Sequence, residues 1–493
     1  MEFRKVGKYF PENKKIINLQ MQAGYAILFL NRNETEAERG LPMRQSMTQE
    51  QRYKMMMETP VSRLIPKLAV PTIISMLVTA VYNMADTFFV SRIGTSASGA
   101  VGVIASLMFM IQAIGFTFGM GSGNYISRSL GDQDGAEAGR AAATAFFTVL
   151  LIGVLMLLGG SLFMEPLVYL LGATPTIAPF AMDYMRYILY AAPFMLGSFV
   201  LNNILRSQGI ALYAMFGIAA GGILNMILDP ILIFGFHMGI AGAAIATMAS
   251  QMISFVILLC QCNLRKDSIK IQLSKFTPSP RMYGIILHAG LPSLCRQGMM
   301  SISSVVLNRA AGPYGDAAIA AMSIVTRFMM FINSGLIGFG QGFQPVCGFN
   351  FGAKRYDRVL DAFWFCFKVA TVMLTILGAV SFGLARPIIT AFRKDDLEVI
   401  RIGTRALRLQ LITMPIQGWI IMCNMMTQSI GYGFRASLVA MGRQGLFLIP
   451  ALLILPGLFG LLGVQMAQAV ADVCTFFLAS VIIAGILKEF KEQ

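Results

Sequence analysis

Apolar residues along this chain come in long runs broken by short polar punctuation. From about residue 64 onward the runs reach about 20 residues or more, the length of helix that crosses a bilayer. They predict twelve spans, at 64–91, 98–126, 140–165, 180–209, 212–236, 239–264, 283–310, 317–347, 358–383, 400–430, 434–459 and 461–487. Residues 1–60 differ: they are mixed and charged, and their one apolar stretch, Ala23 to Leu30, is too short to span. No small-residue cleavage site follows it, and Met43, Met47 and Met55 stand as alternative starts ahead of the first span. The reading is a disordered extension over 1–60, a first six-helix bundle over 61–264, a polar linker over 265–282, a second bundle over 283–487 and a tail over 488–493.

The two bundles are one unit written twice. Pro71 returns as Pro292 after 221 residues, and the same step links Gly94 to Gly315, Gly119 to Gly340, Gly121 to Gly342 and Gly131 to Gly352. It links Gly242 to Gly463, Ala246 to Ala467 and Phe255 to Phe476 as well. Six spans is an even number, so both copies start on the same side of the membrane. The fold class expected is therefore an all-α polytopic membrane protein of two parallel-repeat bundles, a transporter design that places substrate between the halves.

Composition sharpens this picture and excludes others. With 56% hydrophobic and 13% charged residues, the chain is no water-soluble domain. The net charge of +15 lies between the apolar runs and not on a soluble surface, so it signals membrane topology and no nucleic-acid partner. Lys and Arg gather on the side of the 265–282 linker, including Arg265, Lys266, Lys270, Lys275, Arg281, Lys354 and Arg355. That side is expected to be cytoplasmic, with both termini, in the cell's inner (plasma) membrane. Seven Cys without a C-x-x-C pair, and only two His, give no disulfide framework, zinc site or thiol enzyme. The 35 Met and 36 Phe suit lipid contact, packing and a soft internal cavity.

The candidate chemistry lies in the first bundle. Asp86 is a carboxylate in an apolar span, with Tyr82 four residues earlier on the same helical face. The fifth span carries Asn225 and Asp229, again i,i+4, followed by Pro230, whose missing N–H is expected to bend the helix there, as Pro71 is expected to bend the first. Counting along the spans puts Asp86 about five residues from the outer end, Asp229 about seven and Thr247 about eight, so the three share a depth. An oxygen-only cluster with two carboxylates suits a hard monovalent cation or protons. The bland alternative is a satisfied polar network that fixes helix packing. Repeat symmetry projects Tyr82, Asp86, Asn225, Asp229 and Thr247 onto Ser303, Leu307, Leu446, Pro450 and Gln468, none of them ionisable. Elsewhere Arg296 is placed to snorkel to the surface, and Arg327 and Asp472, both near the midplane, are expected to form a structural ion pair in the second bundle.

The run Y-N-M-A-D-T-F-F-V-S-R-I-G-T from Tyr82, the G-x-G-S-G-N-Y-I-S-R-S-L-G segment at Gly119–Gly131 and the N-x-x-x-D-P at Asn225–Pro230 together resemble the multidrug and toxic compound extrusion (MATE) family, nearest its MepA-like and DinF-like members. The resemblance runs from about residue 58 to the end. It implies an antiporter, not an enzyme, that exports amphipathic and often cationic compounds in exchange for Na⁺ or H⁺ by alternating access, as a monomer without other cofactors. It also implies that Asp86, Asn225, Asp229 and Thr247 form the cation site, with Tyr82 and Asn202 as neighbouring polar positions. Relatives of the NorM-like branch carry acidic residues in the second bundle, near places where this chain has Met300 and Gln417. A lipid-linked oligosaccharide flippase of the same superfamily would call for a basic central cavity. A membrane-embedded enzyme would need a dyad or metal motif that the sequence lacks, and a passive channel has no use for paired carboxylates.

Overall fold

The structure, a computed structural model, describes residues 48–265, 268–393 and 396–491. The short helix α1 (Gln49–Glu58) leads into α2 (Val61–Ser91), α3 (Thr95–Gly131) and α4 (Gly135–Leu162). The short α5 (Met164–Leu170) precedes α6 (Ala178–Ser207), α7 (Ala211–Pro230) with a π-helical turn over Ile231–Gly235, and α8 (Gly239–Leu264). The second half repeats this as α9 (Pro280–Ala311), α10 (Asp316–Gly352), α11 (Tyr356–Gly383), the short α12 (Ala385–Phe392), and α13 (Leu397–Ile412) with α14 (Met414–Ser429). It ends with α15 (Gly433–Met441), a π turn over Gly442–Leu446, α16 (Leu448–Phe459) and α17 (Leu461–Lys491).

The expected twelve spans are recovered, with two departures. Among the described residues ten helical stretches are long and apolar enough to cross a membrane, counting α15 to α16 as one; α13 and α14 together make an eleventh, bent by 54°. The twelfth, α9, has the length at 32 residues, but His288, Arg296 and Gln297 dilute its apolar run. In the first half α6 is the central post: 83% of its apolar window is buried, against at most 44% for any other span. Helix starts follow the capping chemistry of the sequence. Asp134 accepts the Glu137 amide, Asp396 accepts those of Glu398 and Val399, and Ser279, ahead of Pro280, accepts that of Met282.

The expected extension over 1–60 differs at its end. Residues 1–47 lie outside the described residues, but α1 is a helix whose Met56 is fully buried against the second-half core. Arg358 of α11 donates to the carbonyls of Met56 and Thr59 and holds that segment in place. The linker is also packed. Ile269 and Ile271 are buried, Gln208 accepts the Ile269 amide, and Thr144 accepts that of Thr277.

The repeat holds in space, with one slip in register. Gly209 and Gly431 both take left-handed backbone (φ +78° and +96°) where the fourth span turns into the fifth, a conformation that favours glycine. Nearby, Asn202 donates to Ala214 O and Asn424 to Ala436 O. These pairs are 222 apart, one more than the step read elsewhere; Gly239 and Gly460 (φ +56° and +59°) restore 221. The π turns fall at different places in the two copies, and each adds residues locally.

The halves meet in a pseudo-twofold seam at the basic end of the bundle. A Cβ on Gly131 would strike Phe349 O, and one on Gly352 would strike Arg128 O; the four residues are exchanged by the 221 step. Likewise Gly121 abuts Ile286 and Gly290 of α9, and Gly342 abuts Ala69 of α2. Thr72 donates to Gly338 O at 2.7 Å, and the buried Arg206 reaches across to Gln341. Toward the opposite end α2, α3, α9 and α10 carry exposed apolar side chains. Met84 and Phe88 of α2, Met110 of α3, Val305 of α9 and Met330 of α10 are exposed.

Candidate coupling site

Helices α2 and α7 run parallel and touch at Gly222, where an added Cβ would lie 2.9 Å from Val78 Cγ1 and 3.0 Å from the Tyr82 ring. Tyr82 is thus level with Gly222. Asp86, one turn further along the same face of α2, comes level with Asn225 and Met226. Asp229 follows one turn on, at the C-terminal end of α7. Asn225 donates to Asp229 Oδ1 at 3.3 Å and to Thr247 Oγ1 of α8 at 3.4 Å. Asp86, Asp229 and Thr247, expected at one depth, and Asn225, expected on the face of Asp229, therefore converge, with Tyr82 one turn below them.

The unusual feature is what these residues lack. Asp86 Oδ1, Asn225 Oδ1 and Asp229 Oδ2 are buried acceptors without a partner, while Asp229 is 0% exposed and Asn225 3%. A buried acceptor left unmatched costs about 1–3 kcal/mol, more when charged, so three together favour a positive species among them. Among the described residues no Lys or Arg forms an ion pair with either carboxylate.

Pro230 is followed at once by the π turn, which Phe236 N closes onto Ile231 O at 2.9 Å. The expected disturbance at Pro230 is thus a widening of the helix beside its carboxylate. Pro71 lies inside an unbroken α2, buried in the seam next to Thr72.

Two expectations are corrected. Asn202 is no neighbour of the cluster: its amide is spent on Ala214 O, 11 residues or about 16 Å below Asn225 along α7. It ties the α6–α7 turn, as Asn424 does in the other half. Arg327 does not pair with Asp472. It lies exposed on α10, whereas Asp472 is fully buried and pairs with Arg443 Nε at 2.9 Å. Counting residues along spans gives depth but not direction around the helix, and Arg443 enters through the π turn of Gly442–Leu446, which no hydrophobic pattern announces.

This second carboxylate is fully matched. Its Oδ1 also accepts from Gln468 Nε2 at 3.1 Å, and its Oδ2 from Gln417 Nε2 at 2.8 Å and Thr413 Oγ1 at 3.3 Å. Ser303, the counterpart of Tyr82, bonds Gln444 O within the same π turn. In either register, 221 or 222, Asn225 and Asp229 fall on Leu446 or Phe447 and on Pro450 or Ala451. The second bundle thus holds a carboxylate closed by an internal guanidinium where the first holds two that are open.

Sequence reasoning missed Tyr184 of α6. It is fully buried and lies near Asp86, Asp229 and Thr247. A Tyr in an apolar span is ordinary, so only the convergence of α6 on α7 and α8 marks it.

The MatE family profile matches residues 71–231 and 292–453, one match in each half. Multidrug export protein MepA of Staphylococcus saprophyticus is 27% identical over 423 residues, covering 85% of this chain and 93% of that protein. MepA of Staphylococcus aureus is 26% identical over 434 residues, covering 88% and 95%. Among solved structures, the outward-facing conformation of a multidrug resistance MATE family transporter of the MOP superfamily superposes with a TM-score of 0.84 at 25% identity, covering 89% of this chain and 98% of the other. A MOP superfamily transporter from Pyrococcus furiosus, described as having a binding pocket of reversed polarity, gives 0.82 at 25% identity, covering 89% and 97%.

Proposed function

Because this chain belongs to the MatE family, we propose that it is a secondary multidrug efflux antiporter, which exports amphipathic and often cationic compounds in exchange for Na⁺ or H⁺. The observation that carries the reading is the set of buried acceptors on Asp86, Asn225 and Asp229 that no group among the described residues satisfies. Oxygen ligands with two carboxylates are what a hard monovalent cation takes, and the same carboxylates accept protons.

The cycle follows from the two halves. With the basic end sealed by Gly131, Gly352 and their backbone partners and the opposite end parted, the cleft faces outward if the basic end is cytoplasmic. A cation entering there neutralises the carboxylates and draws α2 and α7 together, and the widened turn after Pro230 lets the end of α7 follow. A substrate between the halves loses its place as the walls shift and leaves outward. One charge moving inward gains about 2.3 kcal/mol per 100 mV, so the coupling has to be tight. Exposed Met84, Phe88, Met110 and Met330 give the cleft adaptable apolar walls, which suit varied amphipathic drugs better than an anionic oligosaccharide carrier.

The test is reconstitution in liposomes. Substrate-dependent Na⁺ or H⁺ flux in the direction opposite to the drug supports the proposal. Drug movement indifferent to either gradient, or ion flux without drug, contradicts it.

A further inference from the structure

At the opposite end of the second half, helices α11, α12 and α13 enclose a cavity of about 490 Å³. Four arginines line it: Arg386 of α12 and Arg401, Arg405 and Arg408 of α13, the last three one turn apart on one helical face. None of the four forms an ion pair among the described residues. Thr404, in the same wall, has a buried hydroxyl oxygen without a partner. The remaining walls are apolar: Phe382, Leu397 and Ile400 toward the end of the bundle, and Leu409 and Ile412 deeper.

Such a groove is costly in a membrane unless something answers its charge. Counted from Leu397, Arg401, Arg405 and Arg408 lie about 6, 12 and 16 Å along α13. An arginine at the centre of a span costs about 2.5–3.5 kcal/mol even on the mildest insertion scale. Arg408 turns back: its guanidinium lies 5.3 Å from the ring centroid of Phe382, in the last turn of α11 at the same end. The four cations are thereby gathered near the end of the bundle, above apolar walls. Guanidinium groups match phosphate oxygens in pairs, a free hydroxyl adds one more donor, and apolar walls below take acyl chain.

We propose that this groove binds the headgroup phosphate of an anionic phospholipid, with the acyl chains lying against Leu409 and Ile412, the deeper apolar residues of its lining. The occupant is a lipid and not free phosphate, because the cations sit above apolar walls on a membrane-spanning helix. Its role is to answer the charge that the three arginines bring to α13. The site is separate from the first-bundle carboxylates and does not depend on their function.

The test uses the full chain purified in detergent and stripped of lipid, with phosphatidylglycerol, phosphatidylcholine and inorganic phosphate as probes, read by native mass spectrometry and by thermal unfolding. Phosphatidylglycerol is expected to be retained and to raise the unfolding temperature, phosphatidylcholine to do so more weakly, and inorganic phosphate to do neither. The Arg401→Gln/Arg405→Gln variant is expected to bind phosphatidylglycerol about tenfold or more weakly, at about 1 kcal/mol per basic residue. Arg401→Lys/Arg405→Lys, which keeps the charges, separates a folding defect from lost recognition by recovering part of the binding. Equal retention of phosphatidylglycerol by the Gln variant, equal binding of the two lipids, or equal protection by inorganic phosphate would overturn the proposal.

Discussion

Removing both partners of the Arg443–Asp472 pair should destabilise the protein by clearly less than the sum of the two single removals. Asp472 is fully buried and the Arg443 side chain is 11% exposed, so neither can turn to water. Arg443→Met leaves a carboxylate with three neutral donors, Gln417, Gln468 and Thr413, and no counter-charge. Stranding a charge in this way costs about 3–5 kcal/mol. Asp472→Leu strands the guanidinium at a similar cost. The double variant removes the charge and its desolvation together; what remains is two or three amide and hydroxyl groups that lose an acceptor, about 1–3 kcal/mol each if they stay dry. The coupling between the two changes should then be about 2 kcal/mol or more, with the double variant well above the sum of the singles in stability. The assay is equilibrium unfolding in mixed micelles for the four-member cycle, with Arg327→Met as control. Exposed Arg327 should change stability by no more than about 0.5 kcal/mol. Strict additivity of Arg443→Met and Asp472→Leu, or a loss in Arg327→Met equal to that in Arg443→Met, would refute the reasoning.

Three further outcomes follow from the packing. Gly352→Val should prevent the basic end from sealing, since even a Cβ there meets Arg128 O, whereas Gly383→Ala, with open space around it, should be silent; drug efflux at matched expression separates them. Met56→Ala should cost about 2 kcal/mol or more in thermal unfolding, because this fully buried side chain fastens α1 to the second-half core, and an unchanged unfolding temperature would remove α1 from the fold. In a thiol-labelling experiment on the folded protein, the exposed Cys260 should react first and the buried Cys262, Cys347, Cys366 and Cys423 should stay protected until unfolding.

Much of this architecture was legible because the signals were long. Apolar runs gave the spans within a few residues, and the 221-residue step gave the two halves and aligned Gly131 with Gly352, whose reciprocal contacts only the structure shows. Depth counting brought Asp86, Asn225, Asp229 and Thr247 together because i,i+4 spacing fixes a face as well as a height. It failed for Arg327 and Asp472, lone residues on separate spans, where height is known and azimuth is not. Arg443 was invisible for a related reason: it arrives through a π turn that shifts register without disturbing the apolar pattern. Asn202 was placed by resemblance, and its bond to Ala214 O shows a backbone tie that no side-chain pattern encodes. The arginines at 401, 405 and 408 were plain in the sequence, but their shared groove needed α12 to fold over α13.

The central claim is that coupling resides in the open carboxylates of the first bundle and not in the closed one of the second. The measurement that bears on it most directly is drug efflux from proteoliposomes under an imposed Na⁺ or pH gradient, with drug binding assayed separately in detergent. Asp86→Asn and Asp229→Asn should each keep drug binding but lose the response to the gradient, because either change leaves only one of the two carboxylates that the coupling ion neutralises. Met300→Ala and Gln417→Ala should keep the response, because the second bundle supplies its own cation through Arg443. Full gradient-driven efflux by Asp229→Asn, or loss of coupling in Gln417→Ala with folding and drug binding intact, would contradict the account.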